Sequence, residues 1–340
     1  MLNLLVKDFK LMFTKDKRLS KRILSTLFTI FFMGCFVIIE VYFFSAILTE
    51  IKDVRRAPLI FMTLFLFVMS LVLIVTGIFQ AMKLFFNKKD LEQLSTYPVT
   101  NAQVICSKLI FLFISHYISS IIFVYPLFVA YGQIMYQTTI FYYIGIFYPV
   151  FTFFIEVGIA LLLVYPFWLL LQYLKKRPLI QFIVSIVVLL IGVILYSIIL
   201  IAFIDIVKSG EITSLFNSSN INSFEKFRKF QIPINFLAEA FINKRWSRLF
   251  PFLLIALGVF MAGVTITIFA FNYVKNVTFD LNKKGKEKKY KQVSQTKALI
   301  RKEIMLLTKS SDYIFSFSGL LIVQPILLYL ILYAINSIFT

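Results

Sequence analysis

Seven uninterrupted apolar runs, each long enough to cross a bilayer, govern what this chain can fold into. They are Ile23–Leu48, Leu59–Met82, Val104–Tyr131, Ile140–Tyr173, Leu179–Ile206, Leu249–Tyr273 and Tyr313–Phe339. A hydrocarbon core of about 30 Å takes roughly 20 residues of helix. The runs are continuous rather than alternating, which excludes a closed β-barrel. Helix is then obligatory, because in lipid each backbone N–H and C=O must be bonded within its own segment. Of the 340 residues, 60% are hydrophobic and 15% charged, so the apolar surface exceeds what one soluble core could bury.

The charges sit in short blocks between these runs. Lys and Arg number 35 against 16 Asp and Glu. This excess is the signature of membrane topology rather than of nucleic-acid binding. With the N-terminus in the cytoplasm, the inner segments 1–22, 83–103, 175–177 and 274–312, with Lys108, hold 25 of the 35. The outer segments hold 10, and seven of those lie in 207–248 alone, against the general rule. The expected location is the cell membrane, multi-pass, with a cytoplasmic N-terminus. The fourth run spans 34 residues and contains Pro149 and Pro166. Proline removes a helix hydrogen bond, so a tilted, broken or partly re-entrant helix is expected there.

Before the first run, Leu2, Leu5, Val6, Phe9, Met12 and Phe13 recur at helical spacing, with Lys7, Asp8 and Lys10 off that face. This predicts an amphipathic helix on the cytosolic membrane surface. A similar stretch follows the polar, basic segment Asn282–Lys291. Leu5-Val6-Lys7 corresponds to Leu299-Ile300-Arg301, and Leu11 to Lys15 corresponds to Met305 to Lys309. The expected fold class is therefore an all-α integral membrane protein. It consists of a six-helix transmembrane bundle over 1–292 with an N-terminal cytosolic amphipathic helix. Residues 293–340 supply a second such helix and a seventh span that begins a second, truncated repeat.

Between the second and third runs, "KKDLEQLSTYPVTNAQVICSKL" occupies Lys88 to Leu109. Leu91 and Leu94 give a short apolar face, and Pro98 ends that segment because the residue before proline avoids the α region. Thr100 with Gln103 forms a capping box that starts the next helix. Asp90, Leu91, Leu94, Pro98, Val99, Thr100, Val104 and Lys108 resemble a pattern of the permease subunits of bacterial ATP-binding-cassette exporters (type-2 family), with Tyr97 where that pattern has leucine. The resemblance implies that Asp90, Leu91, Leu94, Tyr97 and Pro98 form a coupling helix docked on a separate ATPase subunit. It also implies a homodimer or a second permease half.

No G-x-x-x-x-G-K-[ST], G-x-G-x-x-G, H-E-x-x-H or G-x-S-x-G occurs, so neither an ATP-binding loop nor a catalytic, cofactor or metal motif is present. Cys35 and Cys106 are read as buried small hydrophobes. His116 is read as a bundle residue satisfied by neighbours. Glu156 and Glu40 lie within apolar runs, where a carboxylate costs about 3 kcal/mol or more unless paired or wet. Glu156 is read either as a lining of the translocation path or as a helix–helix hydrogen bond. Glu40, eight residues from the outer end of its run, is expected to snorkel to the surface. Besides the exporter reading, two alternatives stay open: an ion-gradient-driven transporter using Glu156 as its coupling acid, and a membrane scaffold or sensor that transports nothing. The substrate class, whether peptide, lipid-like molecule or drug, is open.

Overall fold

The computed structural model describes residues 19–54, 56–87, 90–91, 100–177, 218–242 and 244–281, with isolated positions between 180 and 197 and between 294 and 332. The first amphipathic stretch lies outside the described residues, as do all but isolated positions of the seventh run and of the second repeat. The chain divides into two units. One comprises Met1–Pro166 with Phe216–Lys283, the other Phe167–Leu215 with Lys284–Thr340.

In chain order the described helices are α1 (Leu19–Ile51), α2 (Ala57–Phe85), α3 (Asn101–Ile134), α4 (Thr139–Lys176), α5 (Ser218–Phe230), α6 (Ile232–Ile242) and α7 (Leu249–Leu281). Among the described residues, five segments are long and apolar enough to span a membrane: Leu27–Ile51, Ala57–Phe85, Asn101–Ile134, Thr139–Leu174 and Trp246–Lys275. Many of their hydrophobic side chains stand exposed, as at Phe31, Ile39, Phe250 and Phe269. A helix surface of that kind belongs in lipid. The chain is a helical, multi-pass membrane protein.

Of the tilted, broken or partly re-entrant forms expected for the fourth run, a break is absent, for α4 is one continuous helix through both Pro149 and Pro166. Hydrocarbon explains the tolerance: the lost N–H bonds are few, and a break would strand many more backbone groups without water. At about 1.5 Å per residue its 38 residues exceed the bilayer core.

Within the first unit, α4 is held by close backbone approaches. A Cβ on Gly263 of α7 would meet the Gly158 carbonyl oxygen of α4 at 2.5 Å, and one on Gly158 would meet the Phe260 backbone at 2.9 Å. Gly77 of α2 faces Ala160 in the same way at 3.2 Å. Small residues let membrane helices approach where no hydrophobic drive exists between them. Thr267 adds a hydrogen bond to the Leu161 carbonyl at 3.3 Å. Edge-on aromatic pairs fill the remaining gaps, among them Phe85 with Phe271 and Phe113 with Phe153.

The unit has two distinct ends. At one, the turn end, lie the 52–56 connection, the α3–α4 turn with Tyr136 at φ 49°, and α5 with α6. Arg56 pairs there with Glu225 of α5 at 2.7 Å, and Phe241 of α6 packs on Tyr148 and Phe151 of α4. At the other, the corner end, Asn101 joins α3 to Asn272 and Lys275 of α7 at 3.0 and 2.9 Å. In the second unit, the end of α4 presents Tyr173 beneath the Arg177 guanidinium at 5.0 Å, and residues 186–194 are helical.

Candidate functional site

The corner between α2 and α3 is built from its cap outward. Thr100 accepts from the Gln103 backbone N–H at 3.4 Å, and the Thr100 backbone N–H donates to the Gln103 side chain at 3.2 Å. This is the capping box that the sequence anticipates, and it fixes where α3 begins. Two turns on, Lys108 is almost fully buried, with its side chain 3% exposed. Its ammonium donates to Asp90 Oδ2 at 2.5 Å and to the Leu84 carbonyl at the end of α2. Lys108 thus ties three successive pieces of chain together. A charge at this depth is stable only because a carboxylate and a carbonyl both meet it.

This geometry revises two of the residues assigned to the docking face. Leu91 is 2% exposed and belongs to the protein's own core. Asp90 is committed to Lys108. Both anchor the corner from within rather than face outward. Leu94, Tyr97 and Pro98 lie outside the described residues. Spacing alone could not separate inward from outward leucines on so short a segment.

The second region lies deep among the spans. His116 of α3 and Glu156 of α4 face each other with Nε2 3.0 Å from Oε2, side chains 4% and 2% exposed. Neither atom has a hydrogen bond of good geometry. The hydroxyls of Ser120 and Tyr148 are also buried without a partner. Ser115 donates to Gln80 at 3.2 Å, linking α3 to α2. A narrow cavity lined by Thr76, Gly77, Gln80, His116, Ser119 and Val157 runs beside the pair. A buried carboxylate is tolerated at this depth where an imidazole meets it.

The sequence exposes this pair only on a depth comparison. His116 is fifteen residues from the C-terminal end of its run, and Glu156 is sixteen from the start of the next. In antiparallel neighbours that puts them level. Glu40 is half-buried on α1, and its Oε2 is enclosed without a hydrogen-bond partner. Cys35 and Cys106 are free thiols, Cys35 half-buried and Cys106 exposed rather than core. Comparison with protein-family models, curated proteins and solved structures finds no match.

Proposed function

We propose that this chain is the transmembrane permease subunit of an ATP-binding-cassette exporter, working with a separate ATPase subunit and moving a peptide, lipid-like molecule or drug out across the cell membrane. The observation that carries this reading is the Lys108 tie to Asp90 and the Leu84 carbonyl. A corner fastened at its base to the ends of two spans moves with them, so force applied to it reaches the membrane. A free connector would absorb the push. Three further features support the reading. The corner carries the motif that resembles these permeases. The turn end bears two helices, α5 and α6, ahead of α7. The sequence contains no ATP-binding or catalytic motif of its own.

Chain parity favours six spans over 1–292. By Tyr165, α4 has reached the corner end, where it packs on Phe86 and Tyr273 at 6.4 and 6.5 Å. By Glu225 the chain is back at the turn end on Arg56. The apolar run Leu179–Ile206 between them is long enough for one crossing, which would make the number of crossings from Tyr165 to Glu225 odd. The charge bias favours a cytoplasmic corner end.

Replacing Leu94 and Tyr97 with Asp tests the coupling assignment. The double variant should insert normally and lose its ATPase on purification. Recovery of the ATPase at the wild-type amount would remove the docking role from this segment.

A second reading rests on the buried His116–Glu156 pair, which suits an ion-gradient-driven transporter. In sealed vesicles without ATP, a proton gradient would then drive transport, and Glu156→Gln would abolish it. Transport that ignores the gradient would dispose of this alternative.

A further inference from the structure

We propose that the turn end carries a binding site for a phosphate-ester group, built by Arg228, Gln231 and Asn235 and completed by the Glu239–Arg248 pair. The site is independent of the coupling corner and stands whether or not the exporter reading holds.

The residues converge for simple reasons. Gln231, Asn235 and Glu239 recur every four residues, so they form one stripe along α6 and the residue before it. Arg228, in the last turn of α5, reaches the same place, with Nη2 4.0 Å from Glu239 Oε1. Arg248 brings its Nε to 3.5 Å from Glu239 Oε2. Gln231 is 5% and Asn235 6% exposed, and the Arg228 side chain is 11% exposed. Five polar atoms in this cluster are nevertheless enclosed without a hydrogen-bond partner: Arg228 Nε and Nη1, Gln231 Nε2 and Oε1, and Asn235 Oδ1. A buried polar atom left unpaired costs about 1–3 kcal/mol. Several in one place mark a seat for a polar guest.

The chemistry of the guest follows from the unpaired atoms. The guanidinium and the Gln231 amide N–H groups donate, and therefore call for an oxyanion. Gln231 Oε1 and Asn235 Oδ1 accept, and call for a hydroxyl. Two arginines share one carboxylate, so the cluster keeps a positive charge. Around it, residues 218–248 carry six Lys and Arg against Glu225 and Glu239. This is the segment that departs from the charge bias of the other outer loops, and an anion bound there gives that departure a use. A phosphate ester beside a free hydroxyl meets every requirement, and Arg binds phosphate by charge-assisted hydrogen bonds. At the end of the spans, such a group is available as an anionic phospholipid headgroup or as free phosphate.

The experiment uses the full chain in phosphatidylcholine nanodiscs, with phosphatidylglycerol added at a few per cent, and native mass spectrometry of the released protein. One phosphatidylglycerol should be retained in preference to phosphatidylcholine. Retention should weaken about tenfold in Arg228→Gln and several-fold in Asn235→Leu. Lys229→Gln removes the same charge from an exposed neighbour and should leave retention unchanged. Melting in phosphatidylcholine alone reports folding. Arg228→Lys, which keeps the charge but loses the planar fork, covers the case in which Arg228→Gln does not fold, and should also lose several-fold. Displacement by inorganic phosphate would identify a free-phosphate site, and its absence a headgroup site; either supports the proposal. No preference for phosphatidylglycerol, or equal losses in Arg228→Gln and Lys229→Gln, would overturn it.

Discussion

Glu156 shows why a single residue type says little until its neighbour is known. Alone in hydrocarbon a carboxylate is a liability, and facing His116 at 3.0 Å it is half of a buried pair. Removing one partner should therefore hurt more than removing both. Glu156→Leu strands His116, and His116→Leu strands Glu156. Loss of one partner of a buried pair costs about 3–5 kcal/mol, whereas apolar replacement of the whole pair is often near neutral. Thermal melting in mild detergent should thus place the double variant His116→Leu/Glu156→Leu above either single variant. A double variant that melts at the additive loss of the singles would show that the two side chains do not act as a unit. Leu91 obeys the same logic at the corner. It is 2% exposed, so Leu91→Asp should impair folding outright, while substitutions at Leu94 and Tyr97 should affect only association.

Among the elements, α4 carries the most consequence. It bears Glu156, and its Gly158 carbonyl lies where a Cβ on Gly263 of α7 would have to go. Gly263→Leu should separate α4 from α7, visible as loss of the monodisperse folded peak in detergent. Gly258, on the same helix, has open space where a Cβ would go, so Gly258→Ala should be silent. Equal behaviour of the two variants would contradict the crossing geometry. The sequence makes the existence of α1 to α4 and α7 plain, because uninterrupted apolar runs leave lipid no other solution. The cap at Thr100 is equally legible, since its two hydrogen bonds depend on residues three apart. Continuity of α4 through Pro149 and Pro166 is not legible: proline's effect in water is a break, and only the absence of water reverses that outcome. The pairing of Lys108 with Asp90, and of His116 with Glu156, depends on which helices become neighbours. Local spacing does not contain that information. Gln231, Asn235 and Arg228 stay hidden for a related reason, since burial of polar side chains follows from tertiary packing.

At the scale of the whole molecule, the path of the chain fixes which segments share a side of the membrane. With Cys35 and Cys106 replaced, single cysteines near Lys88, Lys176 and Lys286 should be shielded from a membrane-impermeant thiol reagent in intact cells. One near Ser218 should be labelled. Labelling near Lys286 but not near Ser218 would refute an odd number of crossings between Tyr165 and Glu225 together with the proposed orientation. The exporter reading also requires two transmembrane halves, and crosslinking in native membranes should capture the chain with a copy of itself or with a second permease half. The central claim is that this protein transmits the work of a separate engine, and one purification tests it most directly. The tagged chain, extracted from native membranes in mild detergent, should bring down an ATPase bearing the G-x-x-x-x-G-K-[ST] motif in stoichiometric amount, and the Leu94→Asp/Tyr97→Asp variant should bring down none. A wild-type chain that purifies free of any such ATPase, yet still supports transport in sealed vesicles driven by an ion gradient alone, would contradict it.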